Sequence, residues 1–238
     1  MISVIVPVYN NPLELEKTLE SLVRQSEVNP AYTGGASFEV VVVDDGSTEP
    51  IDSVISNFKF RILNLFYYRI EHGGAPKARN FGFEKSKGEY VLFCDADMEL
   101  RSDCLQKMKK ELDENLEIDF VYCDFKFGWK KFKFWEFDAK KLKELNFVNT
   151  CSMVRRERVV KWDESLEKFQ DWDFWLTIVE NGGKGKWIPE VLFKANLKRG
   201  TISKWLPKIV YKLPWVKMKT KEKYEYWKKI VQKKHGII

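Results

Sequence analysis

Three acidic clusters hold most of the chemistry that this chain could perform: Asp44-Asp45, Asp95-Ala96-Asp97 and Asp171-Trp172-Asp173. The first two follow the apolar runs Phe38–Val43 and Tyr90–Cys94, so each falls where a buried strand leaves its sheet. In extended backbone, residues two apart point the same way, so Asp95 and Asp97 can converge on one cation. Hard divalent ions, Mg2+ or Mn2+, take such oxygen ligands and share them with substrate phosphates. Acids at strand ends also serve as solvated turn residues, and Asp44 or Asp45 before Gly46 can equally cap a turn.

These acids need a scaffold, and the first hundred residues alternate strand and helix signals. Ile2–Val8 is a continuous β-branched run, as in a strand buried on both faces of a parallel sheet. Asn11, Pro12 and Glu14 read as helix cap, first-turn proline and first-turn acid, and Leu15, Leu19, Leu22 and Val23 follow at helical spacing. A loop around 29–37 leads to the second strand. A helix is predicted near Pro50, a third strand within Arg61–Ile70, a helix from Ala75 and a fourth strand at Tyr90–Cys94. That order implies a parallel sheet whose carboxyl-end loops bind ligand. Further on, Ser102 can cap a helix carrying Leu105, Met108 and Leu112. Phe120–Phe137 alternates like strand, and Trp172, Trp175, Leu176 and Val179 form a helical stripe that stops at Gly182-Gly183. Trp187–Phe193 reads as a last strand.

Five segments occur in series: Ile5-Val6-Pro7-Val8-Tyr9-Asn10, Val42-Val43-Asp44-Asp45-Gly46-Ser47-Thr48, Gly74-Ala75-Pro76-Lys77-Ala78-Arg79-Asn80-Phe81-Gly82, Phe93-Cys94-Asp95-Ala96-Asp97 and Gln170-Asp171-Trp172-Asp173. The series resembles the family 2 glycosyltransferases, over residue 1 to about 195. The resemblance implies an α/β GT-A-like (Rossmann-like) fold, a mostly parallel central sheet flanked by helices, with a basic aromatic C-terminal tail. It implies inverting transfer of a sugar from a nucleotide-sugar, UDP-sugar first, to an acceptor hydroxyl. Pro7, Val8 and Tyr9 would wall the nucleotide pocket, and Asp45 or Asp44 would accept a hydrogen bond from the base. Lys77 and Arg79 would approach the nucleotide or its diphosphate, with Gly73, Gly74 and Gly82 allowing tight turns or close packing. Asp97 would hold Mn2+ or Mg2+ directly, with Asp95 acting on the metal through water or on the ribose; Glu99 is a further candidate. Asp171, in the first turn of a helix, resembles the catalytic base, and Asp173 is its local rival.

Two departures from the family pattern stand out. Gln170 replaces the usual glutamate before the base. The region Asn196–Ser203 holds no histidine where relatives often carry one, and Lys198 or Arg199 could neutralise the diphosphate instead. His72 lies in the glycine loop, facing either donor or solvent. Competing classes are a nucleotidyltransferase of related fold and a non-catalytic nucleotide-sugar-binding protein.

The division expected is a nucleotide-sugar-binding half at 1–100, an acceptor-side half at 101–195 and an extension at 196–238. The overall charge is +6, but residues 194–238 carry +12 and the body −6. The acidic body argues against nucleic acid as partner. The tail mixes Trp205, Ile209, Tyr211, Leu213, Trp215 and Val216 with lysines, and Tyr224, Trp227 and Val231 make a helical stripe. Such a tail suits either an anionic membrane surface or packing on the acidic body of its own chain or of a homodimer partner. The acceptor is a saccharide, a lipid-linked molecule or a protein. Phe125–Phe137 holds seven aromatics in thirteen residues, either a half-buried hairpin or a platform for that acceptor. Cys94, Cys104, Cys123 and Cys151 lack CxxC spacing and read as reduced thiols of a cytoplasmic protein, peripheral on the membrane if the tail binds it. No transmembrane or signal segment is expected in Met1–Leu13.

Overall fold

The computed structural model describes residues 1–27, 38–196 and 218–238. The chain runs β1 (Ile2–Val8), α1 (Pro12–Glu27), β2 (Phe38–Asp44), α2 (Asp52–Phe58), β3 (Leu65–Arg69), α3 (Ala75–Lys85) and β4 (Tyr90–Phe93). It continues through β5 (Met98–Leu100), α4 (Cys104–Glu114), β6 (Phe120–Phe127), β7 (Lys130–Phe132), α5 (Ala139–Glu144), β8 (Met153–Arg155), α6 (Gln170–Glu180), β9 (Gly185–Ala195) and α7 (Met218–Lys234). Among the described residues one sheet forms in the order β3-β2-β1-β4-β8-β6-β9-β5, with β7 paired to β6.

The donor half of the sheet is wholly parallel: β3, β2, β1 and β4 pair side by side in one direction. Parallel strands are covered on both faces, which is why β1 and β2 read as unbroken apolar runs. Ile2, Val4, Val6 and Val8 face a core shared with α1 and α2, whereas Ile5 faces the opposite core with α6. The close approach of α3 to β1 depends on Gly82, because a Cβ there would meet Ile5 Cγ2 at 2.5 Å. β8 then enters antiparallel between β4 and β6, and β5 pairs antiparallel with β9, so the second half is mixed.

The second core is aromatic. Trp162, Trp172, Trp175, Phe93, Phe120 and Phe174 are fully buried; Trp162 stacks on Phe174 at 4.2 Å and Phe120 lies tilted against Trp175 at 4.8 Å. Truncating such a side chain to alanine costs about 3–5 kcal/mol, so α6 is firmly seated. The first turn of α6, which carries Asp171, inherits that rigidity.

Several local expectations are corrected or refined. Ser102 does not cap α4: the cap position is Asp103, which gives no side-chain hydrogen bond because Arg101 holds its carboxylate. The aromatic stretch is a hairpin, β6–β7, turning at Gly128 with φ of 57°. Phe125 stacks on Phe132 at 5.0 Å and on Phe193 at 5.2 Å, while Trp129 at the tip is exposed. All four cysteines are buried thiols; burial pushes Cys123 up to about 12 and Cys104 upward, and the neighbouring Cys94 thiol together with burial raises Cys151. They are packing residues rather than nucleophiles.

Candidate active site

The carboxyl ends of β1, β2 and β4 converge on one edge of the parallel half. Pro7 and Val8 are buried in β1, and of the first segment only Tyr9 offers its side chain outward. Tyr9 stacks on His72 with centroids 4.2 Å apart, so the two rings form a flat aromatic surface beside the strand ends. Asp44 is fully buried; its carboxylate accepts hydrogen bonds from the Ser47 N–H at 2.8 Å and the Tyr67 hydroxyl at 3.1 Å. Burial, and then the Asp44 charge and contact, push the Tyr67 hydroxyl well above its ordinary range.

Asp45 does something different. Its two oxygens accept the Gly73 and Gly74 N–H groups, each at 2.8 Å, and His72 Nδ1 lies 2.9 Å from Oδ2. The carboxylate thus folds the glycine loop across the strand ends. Gly74 leads into α3 with φ of 90° and ψ of 164°, a conformation that residues with a Cβ rarely adopt. Lys77 lies along this loop, its ammonium on the Glu71 carbonyl at 3.1 Å.

Arg79 spans the site. It is buried, donates to Asp95 Oδ1 at 2.7 Å and to Gln170 Oε1 at 3.3 Å, and rests over the Trp162 ring at 4.5 Å. One guanidinium therefore joins the end of β4 to the start of α6. Asp95 and Asp97 are both half-buried, with buried Ala96 between them holding Thr18 through its carbonyl. Two carboxylates made only of hard oxygens fit Mg2+ or Mn2+, which need one or two protein carboxylates and fill the rest with phosphate and water. No group of three or more metal-binding side chains occurs among the described residues. Glu99 instead binds Asn196 and Lys194.

Asp171 sits in the first turn of α6, half-buried, accepting the Trp172 N–H at 2.9 Å, with the Asn146 side chain beside it. Burial raises its carboxyl above the ordinary 3.8, and the charge of Asp95 pushes the same way. Asn146, the Trp172 N–H and the charge of Arg79 oppose the rise. A carboxylate of raised basicity in electrostatic contact with Arg79 and Asp95 suits proton abstraction. Asp173 is engaged elsewhere. It is buried and bound by Lys234 at 2.8 Å and His235 Nε2 at 2.9 Å.

The residues holding Asp173 come from the tail. Val231 is fully buried against the aromatic core, with Trp227, Ile230 and Ile237 around it, and His235 Nδ1 reaches Glu180 at 2.8 Å. Tyr224 packs edge-on against Phe169 at 4.8 Å. Phe169 precedes α6 with φ of 60°, a left-handed conformation that a bulky residue adopts only when its surroundings enforce it. The end of the tail thus packs on the body of its own chain, next to the turn carrying Asp171. Lys198, Arg199 and the aromatics between Trp205 and Val216 lie outside the described residues.

The sequence reading missed Asn146, the Arg79–Gln170 contact and the His235–Asp173–Lys234 group. Asn146 stands in a loop without periodicity, and the other partners are separated by 91, 62 and 61 positions. Only the fold brings them together.

This arrangement coincides with a match to the family model described as glycosyl transferase family 2, over residues 3–167. The chain belongs to that family. An uncharacterized glycosyltransferase of Methanocaldococcus jannaschii is 25% identical over 209 residues, 82% of this chain and 70% of the relative. One from Haemophilus influenzae is 28% identical, over 76% of this chain and 62% of its own. The poly(ribitol-phosphate) beta-N-acetylglucosaminyltransferase TarS of Staphylococcus aureus is 35% identical over 48% of this chain, which spans only 19% of that protein. The fold matches the solved TarS fragment 1–349 in complex with UDP-GlcNAc, with a TM-score of 0.73 and 22% identity over 93% of this chain and 69% of the other. It also matches a mannosyltransferase from Pyrobaculum calidifontis in complex with GDP-Man and Mn2+, with a TM-score of 0.64 and 20% identity over 84% of this chain and 58% of that one. The GT-A architecture expected from the motifs is therefore the one the chain adopts.

Proposed function

We propose that this family 2 chain transfers a sugar, with inversion, from a nucleotide-sugar to an acceptor hydroxyl, with Asp171 as the base. The observation carrying this is the bridge by Arg79 from Asp95 to Gln170, which puts the strand-end acids and the start of α6 in one site. Asp171 takes the proton of the acceptor hydroxyl, whose oxygen forms a bond to the anomeric carbon. The bond from that carbon to the diphosphate oxygen breaks, and its electron pair leaves on the nucleoside diphosphate. Asp95 and Asp97 would hold Mg2+ or Mn2+, which when bound supplies charge neutralisation for that leaving group.

The nucleotide pocket is built from Tyr9, the strand-end residues Pro7 and Val8, Asp44, Asp45, Lys77 and Arg79. Asp45 serves it by holding the glycine loop, and would accept a hydrogen bond from the base. UDP is the favoured nucleotide because a carboxylate acceptor suits the N3–H of uracil, and TarS, the solved relative of like fold, is found in complex with UDP-GlcNAc. The aromatic hairpin β6–β7 is the acceptor platform. No described helix is long and apolar enough to cross a membrane. The exposed lysines 221, 229 and 233 of α7, continuing the basic segment before it, would meet an anionic lipid surface; equal co-sedimentation with anionic and neutral vesicles at low salt would exclude that.

The test is a thermal-shift screen of nucleotide-sugars with and without Mn2+, followed by product analysis. Nucleoside diphosphate release that falls at least about a hundredfold in Asp171→Asn, at unchanged fold, is expected from loss of a general base. Release of pyrophosphate, or full turnover by Asp171→Asn, would overturn the reading.

A further inference from the structure

The outer strands of the sheet carry a row of cations. Lys126 of β6 stands directly opposite Lys131 of β7 on one side and Lys194 of β9 on the other, and Lys194 stands opposite Glu99 of β5. Register partners point to the same face of a sheet, so these four side chains share one face. The next row, Phe132, Phe125, Phe193 and Leu100, points the other way; Phe193 and Leu100 are buried in the core and Phe125 packs against it. All three lysines are exposed. Two have a carboxylate at hand, Lys131 with Asp124 at 3.5 Å and Lys194 with Glu99 at 3.0 Å. Lys126, between them, has no ion pair among the described residues. Like charges directly opposite on adjacent strands repel, and an anion seated among them removes that cost.

The row lies beside the proposed site. Asn196, two residues after Lys194, donates its backbone N–H to the Asp97 carbonyl at 2.9 Å. On β6, the face that carries Lys126 also carries Phe120, which lies against Trp175 of α6 at 4.8 Å. The chain leaving the C-terminal end of α6 returns to the start of β6, where the Lys184 N–H donates to Asp119 at 2.8 Å. The helix therefore runs against β6, and its first turn, with Asp171, points toward the end where Lys126 stands. An acceptor whose hydroxyl meets Asp171 extends toward the lysines.

We infer that the Lys194–Lys126–Lys131 row is an acceptor subsite for a phosphoryl group, so that the acceptor is a phosphorylated saccharide or alcohol rather than a neutral one. The inference rests on the proposed role of Asp171 and names the acceptor class of that site. Adjacent strands are about 4.8 Å apart, so one phosphoryl group, with several oxygens and a charge of about −1.5 to −2 as a monoester, meets Lys126 and a neighbour together. Lysine serves phosphate as a mobile point charge, whereas a planar carboxylate is matched better by the fork of arginine. A phosphoryl group belongs equally to a soluble phosphate ester and to a lipid phosphate, and the experiment separates the two.

The experiment uses the full chain at low ionic strength, with UDP and Mg2+ filling the donor site. One arm measures the affinities for glucose 6-phosphate and glucose by ligand-observed NMR. The other measures co-sedimentation with phosphatidylcholine vesicles, with and without phosphatidic acid. Lys126→Gln should weaken binding of a phosphate probe about fivefold and Lys126→Glu more, with the affinities for glucose and UDP within about twofold. Lys126→Arg keeps the charge and should stay within about twofold of wild type. Lys126→Gln should melt no lower than wild type without the probe, because it removes a like charge from the row. Loss in the NMR arm marks a soluble phosphate ester and loss in the vesicle arm a lipid phosphate; either supports the inference. Wild type that binds neither phosphate probe, Lys126→Gln that binds both as wild type does, or a loss confined to UDP would overturn it. None of these readouts needs turnover, so full activity in Asp171→Asn would remove the base reading and leave the lysine row judged by binding.

Discussion

Replacing His235 with alanine removes the imidazole that joins α7 to α6. The ring lies 2.9 Å from Asp173 and 2.8 Å from Glu180, with its side chain almost wholly buried. A hydrogen bond to a charged group contributes about 1.5–3 kcal/mol. Asp173 keeps Lys234 after the substitution, and Glu180 is more than a third exposed, so both contributions fall at the low end. A loss of about 3 kcal/mol follows, and at about 2–4 °C per kcal/mol for a chain of this size the melting temperature drops about 6–12 °C at low pH. The pH dependence carries the sharper test. Burial lowers the His235 pKa, but Asp173 and Glu180 outweigh it, and the folded value lies above the ordinary 6.5. The stabilisation is therefore fully present below 6.5 and lost as pH rises through the folded value. Calorimetric melting from pH 5.5 to 9 should show wild type approaching His235→Ala as pH rises. Curves that stay parallel across that range would refute the argument. Turnover should fall with the same profile, since α7 also supports Phe169 through Tyr224.

Asp171→Asn should melt above wild type at neutral pH while losing turnover, because burial makes the ionised carboxyl costly. With the folded pKa above 3.8, the gap opens as pH rises past that value and vanishes below it; a variant that melts lower at pH 7 would contradict this. Gln170→Glu places an acid against Arg79 and beside Asp171, so the acid limb of the kcat/KM profile should move to higher pH with activity retained. A limb that stays put or moves down would argue against contact between the two positions. Gly74→Ala forces a Cβ onto a residue at φ of 90°, costing about 1–3 kcal/mol, and loosens the loop held by Asp45. The expected readout is a donor KM raised about tenfold with kcat less affected, and unchanged donor kinetics would detach the loop from the donor.

The elements that were legible in the sequence share a physical cause. β1, β2 and β4 are buried on both faces and show as unbroken apolar runs, and α1 and α6 bury wide stripes. β5 and β8 are three residues long, too short for any period, and α5 is a six-residue helix without a stripe, held at its start by the Asp138 side chain. Yet β8 makes the sheet mixed, and its preceding loop carries Asn146. The candidate site divides the same way. Strand-end acids announce themselves because an acid after an apolar run is unusual, whereas Asn146 is an ordinary loop residue until Asp171 is placed against it.

The tail shows why a charge count alone left its role open. Its +12 reads equally as a surface for anionic lipid or as a counterpart to the acidic body. The fold distributes those charges unequally. Lys234 is committed to Asp163 and Asp173, and Lys223 to Glu167, while His235 closes the same acidic group from inside. These contacts hold Asp173, whereas among the described residues Asp171, two positions away, accepts the Trp172 backbone amide. The two aspartates of this turn, one expected as base and the other as its rival, thus differ in surroundings. The one facing the tail has its charge neutralised, and the one facing the strand ends keeps a basicity raised by burial. The basic tail therefore engages Asp173 and not Asp171, the acid proposed as base, whether or not its outer lysines also meet a membrane.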